Sequence, residues 1–423
     1  LPVASRPAAW PQLLTDVAPP IEASSVLIDR LDEAIRGAEK PVMIVGSGVR
    51  TNGAERAVRT FARRAQLPVV TTLSDVGAFP NQDDLYLGTI GTAGNPSAHR
   101  YMNEEADLLL VVGSRMEMML SAPIQAALSR CDVWFIDVDT DCVVDRFPHA
   151  QKLEADVAMT LDTLSLRRPF MGGGPGRPEG YRHQRFLPQL AAPTSGSPPA
   201  SSIPPDALLQ SEALSMLQDV LPDDGHLLFD AGNCAASALH YLSIPERTSS
   251  TIALGMGGMG YAIPAAVGAQ LGSGDDRRSV VLCGDGAFLL LGLEIHTAVD
   301  LGLPILFVVF NNGAHGMCVT RQQLFFDSRI ECSQYAEVNV ADVARGLGTP
   351  NQLWIRSAQT AVELERAISS YNAWGNQGPA VLELVLRQEE VPPFTPFLPA
   401  DAPVGETLKS QRPGTLKRST YAA

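Results

Sequence analysis

Short apolar runs recur along the chain, each separated from the next by a stretch of helical spacing. PVMIVGSG, PVVTTL, DLLLVVGSR and VWFIDVD occupy the first part, and HLLFDAG, TSSTIAL, SVVLCGDG, ILFVVFNN, LWIR and AVLELVL the second. A strand that is apolar on both faces is stable only between two covering layers. This alternation therefore predicts βαβ units and parallel sheets with helices on both sides. SSVLIDRLDEAIRGAE, with Ser24 in N-cap position, and AERAVRTFARRAQ supply the helical partners in the first part. The expected fold class is α/β: two three-layer αβα domains with mainly parallel sheets, the first Rossmann-like.

The text loses both periodicities between Arg168 and Asp206, where MGGGPGRPEG and PQLAAPTSGSPPASSIPP stand. Pro/Gly/Ser text of this kind makes an extended, semi-rigid linker. The expected organisation is an extended segment over 1–23, a first domain over 24–170, a linker over 171–205, a second domain over 206–396, and a tail over 397–423 that is mobile or docks. The chain has 423 residues and a formal charge of −14, from 46 acidic and 32 basic side chains. With no basic block, neither nucleic acid nor an anionic membrane surface is expected as a partner. No apolar run approaches the ~18 residues of a membrane span, and the expected location is cytoplasmic. The six cysteines form no CxxC pair, so reduced, buried thiols are expected rather than zinc or a disulfide framework.

The strongest chemical signal is SVVLCGDGAFLLLGLEIHTAVDLGLPILFVVFNNGAHGM. One strand ends in Gly284, Asp285 and Gly286, and the next ends in Asn311 and Asn312, with 24 residues between the GDG and the NN. Successive strands of a βαβ unit emerge on the same carboxyl edge, where open α/β sheets bind ligands. Asp285 and Asn312 can therefore converge. A carboxylate, an amide oxygen and a nearby backbone carbonyl make an oxygen half-shell suited to Mg²⁺, which draws its remaining ligands from phosphates and water. The glycines beside Asp285 let a diphosphate approach the backbone, and the N–H groups that open the following helix offer donors to it.

GDG, 24 residues, then NN resembles the thiamine diphosphate-binding motif of the thiamin-dependent enzymes. The wider chain, from about residue 10 to 397, resembles their acetolactate (acetohydroxyacid) synthase branch. ARRAQLPVVTTLSDVGAFP, LYLGTIGTAG, ADLLLVVGSRM and VWFIDVDTD are similar to that family's central domain. ALGMGGMGYAIPAAVGAQ, the GDG–NN block with the GM after it, and GPAVLELVL resemble its pyrophosphate-binding domain. The resemblance implies thiamine diphosphate and Mg²⁺ as cofactors, with Asp285, Asn312 and the Ala314 carbonyl on the metal. Gly284, Gly286 and Ala287 would lie along the diphosphate. Gly232 and Asn233 would form a further diphosphate loop, Gly257 would belong to the cofactor-binding loop, and Gly316 and Met317 would complete the cofactor contacts. Met259 would wedge under the cofactor between its two rings.

Two departures stand against that pattern. Arg321 occupies a place where acetohydroxyacid synthases carry a large aromatic residue. A guanidinium there could clamp an acidic or phosphorylated acceptor, or it could be a surface ion pair. His315 either shuttles protons at the site mouth or makes a local loop bond. The second departure is larger, since relatives carry a preceding pyrimidine-binding domain whose Glu activates the cofactor, and none of Glu104, Glu105 or Glu294 lies where that Glu would. A partner chain with that domain is expected, within an oligomer. Gly46, Ser47 and Gly48 with Thr51 make an incomplete GxGxxG, and Arg115 sits where FAD-binding members have an Arg, so FAD is left open. The activity implied is that of a carboligase subunit which decarboxylates a 2-oxo acid such as pyruvate and passes the acyl anion equivalent to an acceptor. A simple 2-oxo acid decarboxylase subunit and a non-catalytic scaffold are the alternatives.

Overall fold

The computed structural model describes residues 20–167, 178, 181, 183–193, 197, 200–273, 277–375, 377–387 and 389–405. Most of the expected N-terminal segment, much of the linker and the tail from 406 lie outside the described residues. The apolar runs form two six-stranded parallel sheets. The first holds β1 (Pro41–Val45), β2 (Val69–Thr72), β3 (Tyr86–Ile90), β4 (Leu108–Val112), β5 (Asp132–Asp137) and β6 (Gln151–Glu154), in the order β3-β2-β1-β4-β5-β6. The second holds β8 (Asp224–Phe229), β9 (Arg247–Ile252), β10 (Arg278–Gly284), β11 (Ile305–Asn311), β12 (Trp354–Ala358) and β13 (Ala380–Val385), in the order β12-β13-β11-β10-β8-β9. The short strands β7 (Arg185–Phe186) and β14 (Val404–Gly405) pair antiparallel with each other. They bring part of the linker and part of the tail together, a pairing that no periodicity in that Pro-rich text announced.

Each sheet is covered on both faces because its strands alternate between two cores. Met43 and Val45 of β1 pack into one layer while Val42 and Ile44 pack into the other. Val280 and Leu282 of β10 face one layer, and Val281 and Cys283 the opposite one. In the first domain, α1 (Ser25–Gly37), α2 (Glu55–Ala65) and α3 (Val157–Leu166) bury stripes such as Ile28, Leu31 and Ile35. Ser24 stands at the N-cap of α1 but makes no side-chain cap bond, whereas Asp156 caps α3 by accepting from the Met159 N–H. In the second domain, α4 (Gln210–Leu217), α5 (Asn233–Tyr241), α6 (Ala262–Ser273), α7 (Asp285–Leu291), α8 (Ile295–Leu301), α9 (Gly316–Phe325), α10 (Val340–Arg345) and α11 (Ala361–Trp374) complete the layers.

The glycines of the incomplete GxGxxG have a packing reason. A Cβ on Gly46 would lie 2.3 Å from the Gly113 carbonyl oxygen, and one on Gly48 would lie 2.8 Å from it. The glycines thus let the loops after β1 and β4 touch. Of the six cysteines, none is in a disulfide. Cys234 and Cys283 are buried as expected, but Cys131 and Cys142 are half-buried, and Cys318 and Cys332 are exposed. No helix among the described residues is long and apolar enough to cross a membrane.

The two domains share polar bonds. Buried Asp75 accepts from Arg50 Nε at 2.7 Å and from Ser250 Oγ at 2.8 Å, so a first-domain carboxylate holds strand β9 of the second. At a second junction His240 accepts the Phe186 N–H at Nε2, at 2.8 Å, and turns Nδ1 to the Ala93 carbonyl at 3.2 Å. Burial pushes this imidazole down to about 3, with nearby Arg185 adding to the effect.

Candidate cofactor site

Strands β10 and β11 run parallel with Gly284 in register with Phe310. Asp285, the first residue of α7, and Asn312, just past β11, therefore leave the sheet side by side. Asp285 is 2% exposed. Its Oδ1 accepts from the Gly286 N–H at 2.9 Å and its Oδ2 from the Gly313 N–H at 2.7 Å. Burial raises its pKa above the ordinary carboxylate value, against the lowering effect of these donors and of the neighbouring Tyr335 hydroxyl.

The two asparagines of the NN pair divide their work. Asn311 is buried, and its Nδ2 donates to the Val338 carbonyl and to Glu383 Oε1, both at 2.7 Å. Glu383 in turn receives the N–H groups of Val340 and Ala341 at the start of α10. Asn311 is thus structural. Asn312 turns the other way: its Nδ2 donates to Glu389, and its Oδ1 accepts from the Ala314 N–H at 3.2 Å. A backbone N–H only donates, so the Ala314 amide fixes which end of that side chain is oxygen and leaves its nitrogen to Glu389. Burial pushes Glu389 up to about 7; the Asn312 bond opposes this, and the charges of Asp285 and Glu390 add to it. The Ala314 carbonyl accepts the Gly316 N–H at 2.9 Å and retains a second lone pair.

Gly286 and Gly316 mark how closely these segments approach. A Cβ on Gly286 would lie 2.7 Å from His315 Nδ1 and 3.6 Å from Met259 Sδ, and one on Gly316 would lie 2.9 Å from the Nδ2 atoms of both Asn233 and Asn312. Four of the expected site residues thus meet around two glycines. The residues Gly232, Gly257 and Gly284 instead face open space. Buried polar atoms in this cluster stand without partners among the described residues: both side-chain atoms of Asn233 and Nδ1 of His315. Orphaned donors and acceptors at this density are uncommon in a folded core. They fit a site shaped for a polar, oxygen-rich group.

The remaining candidates separate. Met259 is 41% exposed, so it is no core residue. Ala287 is buried in the layer beneath α7, and Met317 packs against the core on the other face. The Arg321 side chain is on α9, exposed, and makes no hydrogen bond or ion pair among the described residues. His315 opens α9, its backbone N–H bonded to the Ser333 carbonyl and its ring edge-on to Tyr335 at 5.2 Å. Among the described residues no trio of His, Cys, Asp or Glu closes on a point. The mixed oxygen set expected for a cation, Asp285, Asn312 and the Ala314 carbonyl, is grouped here by the bond from the Gly313 N–H to Asp285 Oδ2 at 2.7 Å.

Three supporting residues carry no signal in the motif. Buried Asp230 accepts the N–H groups of Ala231 at 2.9 Å, Gly260 at 2.8 Å and Ala262 at 2.8 Å, which pins the Met259 loop to the end of β8. Glu389 and Tyr335 come from segments far along the chain. Only Asp230, at a strand end in FDAGN, had a position that could have drawn notice.

Comparison with known proteins matches residues 28–164 to the thiamine pyrophosphate enzyme central domain and residues 230–384 to the thiamine pyrophosphate enzyme C-terminal TPP-binding domain. The chain is 27% identical over 389 residues to the acetolactate synthase isozyme 2 large subunit of Escherichia coli, covering 90% of this chain and 66% of that protein. It is 31% identical over 319 residues to an acetolactate synthase large subunit of Parasynechococcus marenigrum, covering 74% and 49%. The chain spans about half to two thirds of the length of these curated relatives. Among solved structures, a thiamin diphosphate-dependent enzyme of Mycobacterium smegmatis shares the fold, with a TM-score of 0.65 at 24% identity over 90% of this chain and 68% of that one.

Proposed function

The chain belongs to the thiamine pyrophosphate enzymes, and from that membership we propose that it is a thiamine diphosphate- and Mg²⁺-dependent carboligase subunit of acetolactate synthase type. It decarboxylates a 2-oxo acid such as pyruvate and transfers the acyl anion equivalent to an acceptor. The observation that carries the reading is the meeting of Asn233 and Asn312 at Gly316 beside the Gly313 turn that Asp285 holds, with the side-chain atoms of Asn233 and Nδ1 of His315 buried and unsatisfied. Asp285, Asn312 and the Ala314 carbonyl hold Mg²⁺. Gly232, Asn233, Gly284, Gly286, Ala287 and Gly316 line the diphosphate, Gly257 belongs to the loop beside it, and Met317 backs it from the core side. The bound cofactor supplies the electron sink for decarboxylation.

The protein's own residues orient and exclude. Met259 is the apolar support that sets the cofactor's conformation. His315, its Nδ1 buried beside Gly286, holds or moves a proton at that atom. Arg321 selects an acceptor bearing a carboxylate or phosphate, because its guanidinium stays charged and forks onto such groups. A strip of exposed apolar side chains adjoins this site: Met256, Met259, Leu289, Leu290, Leu291 and Leu293, with Gly260 packed on Leu291. Apolar patches of this kind mark protein contacts. The strip supports a partner polypeptide that brings the pyrimidine-binding domain and its Glu to the site within an oligomer.

The test is calorimetric titration with thiamine diphosphate and Mg²⁺, followed by CO₂ release from pyruvate with a pyrimidine-domain partner added. Asp285→Ala abolishes Mg²⁺-dependent cofactor binding, and unchanged affinity in that variant refutes the metal assignment. A ligated product supports the carboligase. An aldehyde product points to the simple decarboxylase instead, and cofactor binding without CO₂ release under any pairing rejects turnover of pyruvate.

A further inference from the structure

Between the two domains, away from the cofactor site, lies a cleft of about 450 Å³. Its walls come from the loop at Asn81 and Gln82, from Ser215 and Gln218, and from the segment Tyr241–Glu246 that leads into β9. Arg185 of β7 forms one side of it. This guanidinium is 8% exposed. Its Nη2 donates to Ser243 Oγ at 3.2 Å, and its Nε is buried with no acceptor. No carboxylate among the described residues forms an ion pair with it; the titratable groups that face it are the phenols of Tyr86 and Tyr241 and the imidazole of His240, which burial keeps neutral. Both phenols are held protonated by burial. Arginine does not shed its proton in proteins, and a buried cation without a counter-charge is strongly disfavoured. The rim carboxylate Glu246 is taken by Arg59.

We propose that this cleft is a binding site for a small anion bearing a carboxylate or a phosphate, with Arg185 as its counter-charge. The volume falls within the range of small-molecule pockets. The Ser215 and Tyr241 hydroxyls also line the cleft, make no hydrogen bond among the described residues, and complete the site as donors. The cleft is distinct from the cofactor site. Tyr241 ends the helix α5 that Asn233 begins, eight residues away, about 12 Å at the helical rise.

The experiment titrates inorganic phosphate and, separately, acetate into the full chain previously saturated with thiamine diphosphate and Mg²⁺, by calorimetry and by thermal midpoint. The same titrations are run on Asp285→Ala without cofactor. Saturable binding of at least one probe is expected in both proteins, and the preferred probe identifies the headgroup. Because Asp285 is no part of the cleft, binding that survives its replacement stands apart from the reading of the cofactor site. Arg185→Gln weakens the binding at least about tenfold, the worth of a charge-assisted hydrogen bond. Ser215→Glu, which places a carboxylate in the cleft, abolishes it in a folded protein and serves where Arg185→Gln does not fold. The proposal is overturned if neither probe binds saturably, or if either variant binds within twofold of the unchanged protein.

Discussion

Replacing Gly316 by Ala tests the geometry of the cofactor site at its tightest point. The added Cβ would stand 2.9 Å from Nδ2 of Asn233 and of Asn312, while ordinary contact begins near 3.4 Å, so each amide must retreat by about 0.5 Å. Asn233 can give way, because no hydrogen bond holds its side chain. Asn312 cannot swing freely, because Glu389 holds its nitrogen. A Mg²⁺–oxygen bond of 2.0–2.1 Å tolerates about 0.2 Å of error. A displacement of about 0.5 Å therefore spoils one ligand, and such damage costs about 10–100-fold in metal affinity, or about 1.4–2.7 kcal/mol. The fold should survive. Loss of a glycine contributes about 0.5–1 kcal/mol by restricting the unfolded chain, against about 1–3 kcal/mol for overpacking. The expected result is a folded protein within about 2 kcal/mol of the unchanged one and Mg²⁺ affinity at least about tenfold weaker. Denaturant unfolding and calorimetric Mg²⁺ titration in the presence of thiamine diphosphate measure the two. Mg²⁺ affinity within twofold of the original, in a folded variant, would refute the reasoning.

Asp230→Asn sets an amide NH₂ against backbone donors and loses about 1–3 kcal/mol. Hydrogen exchange should quicken at the Gly260 and Ala262 amides, and unchanged protection there counts against the pinning role. Acid stability follows the buried histidines. Burial holds His99 down at about 4 and His240 at about 3, whereas both bind protons near 6.5 once unfolded. Their contribution is fully present above pH 6.5 and is lost as pH falls toward those folded values. The loss runs at about 1.4 kcal/mol per pH unit for each histidine. Urea unfolding between pH 7 and 5 reads the net slope, to which Glu389, held up at about 7, contributes with the opposite sign, and His240→Asn should lower that slope by about 1.4 kcal/mol per pH unit; an unaltered slope removes His240 from the account.

The layers of this fold were legible because burial on two faces leaves continuous apolar runs, and each of the ten runs overlaps one strand, while the edge strands β3 and β6 lie outside them. The GDG–NN pair was legible for a related reason: parallel neighbours bring their carboxyl ends to one edge whatever the intervening helix does. What spacing could not separate was Asn311 from Asn312. Adjacent residues at a strand end point to opposite sides, and only the position of Glu383 on one side and Glu389 on the other tells the structural amide from the one at the site. Asp230, Tyr335 and Glu389 were hidden because each reaches the site from its own segment, with no local pattern to announce it. Arg185 was hidden by composition, one of several arginines in Pro- and Gly-rich text where no periodicity marks the buried one; in the structure it lies opposite Gly405 of β14.

That last pairing has a topological consequence. With Arg185 opposite Gly405 and Phe186 opposite Val404, the chain enters and leaves the second domain at the same place, so the domain forms a closed loop fastened by a two-residue clasp. Modules whose ends meet tolerate being cut and rejoined elsewhere. Joining residue 405 to residue 183 through a short linker, with new ends in an exposed turn, would therefore keep every strand neighbour of the second sheet and offer the new ends for fusion to another protein.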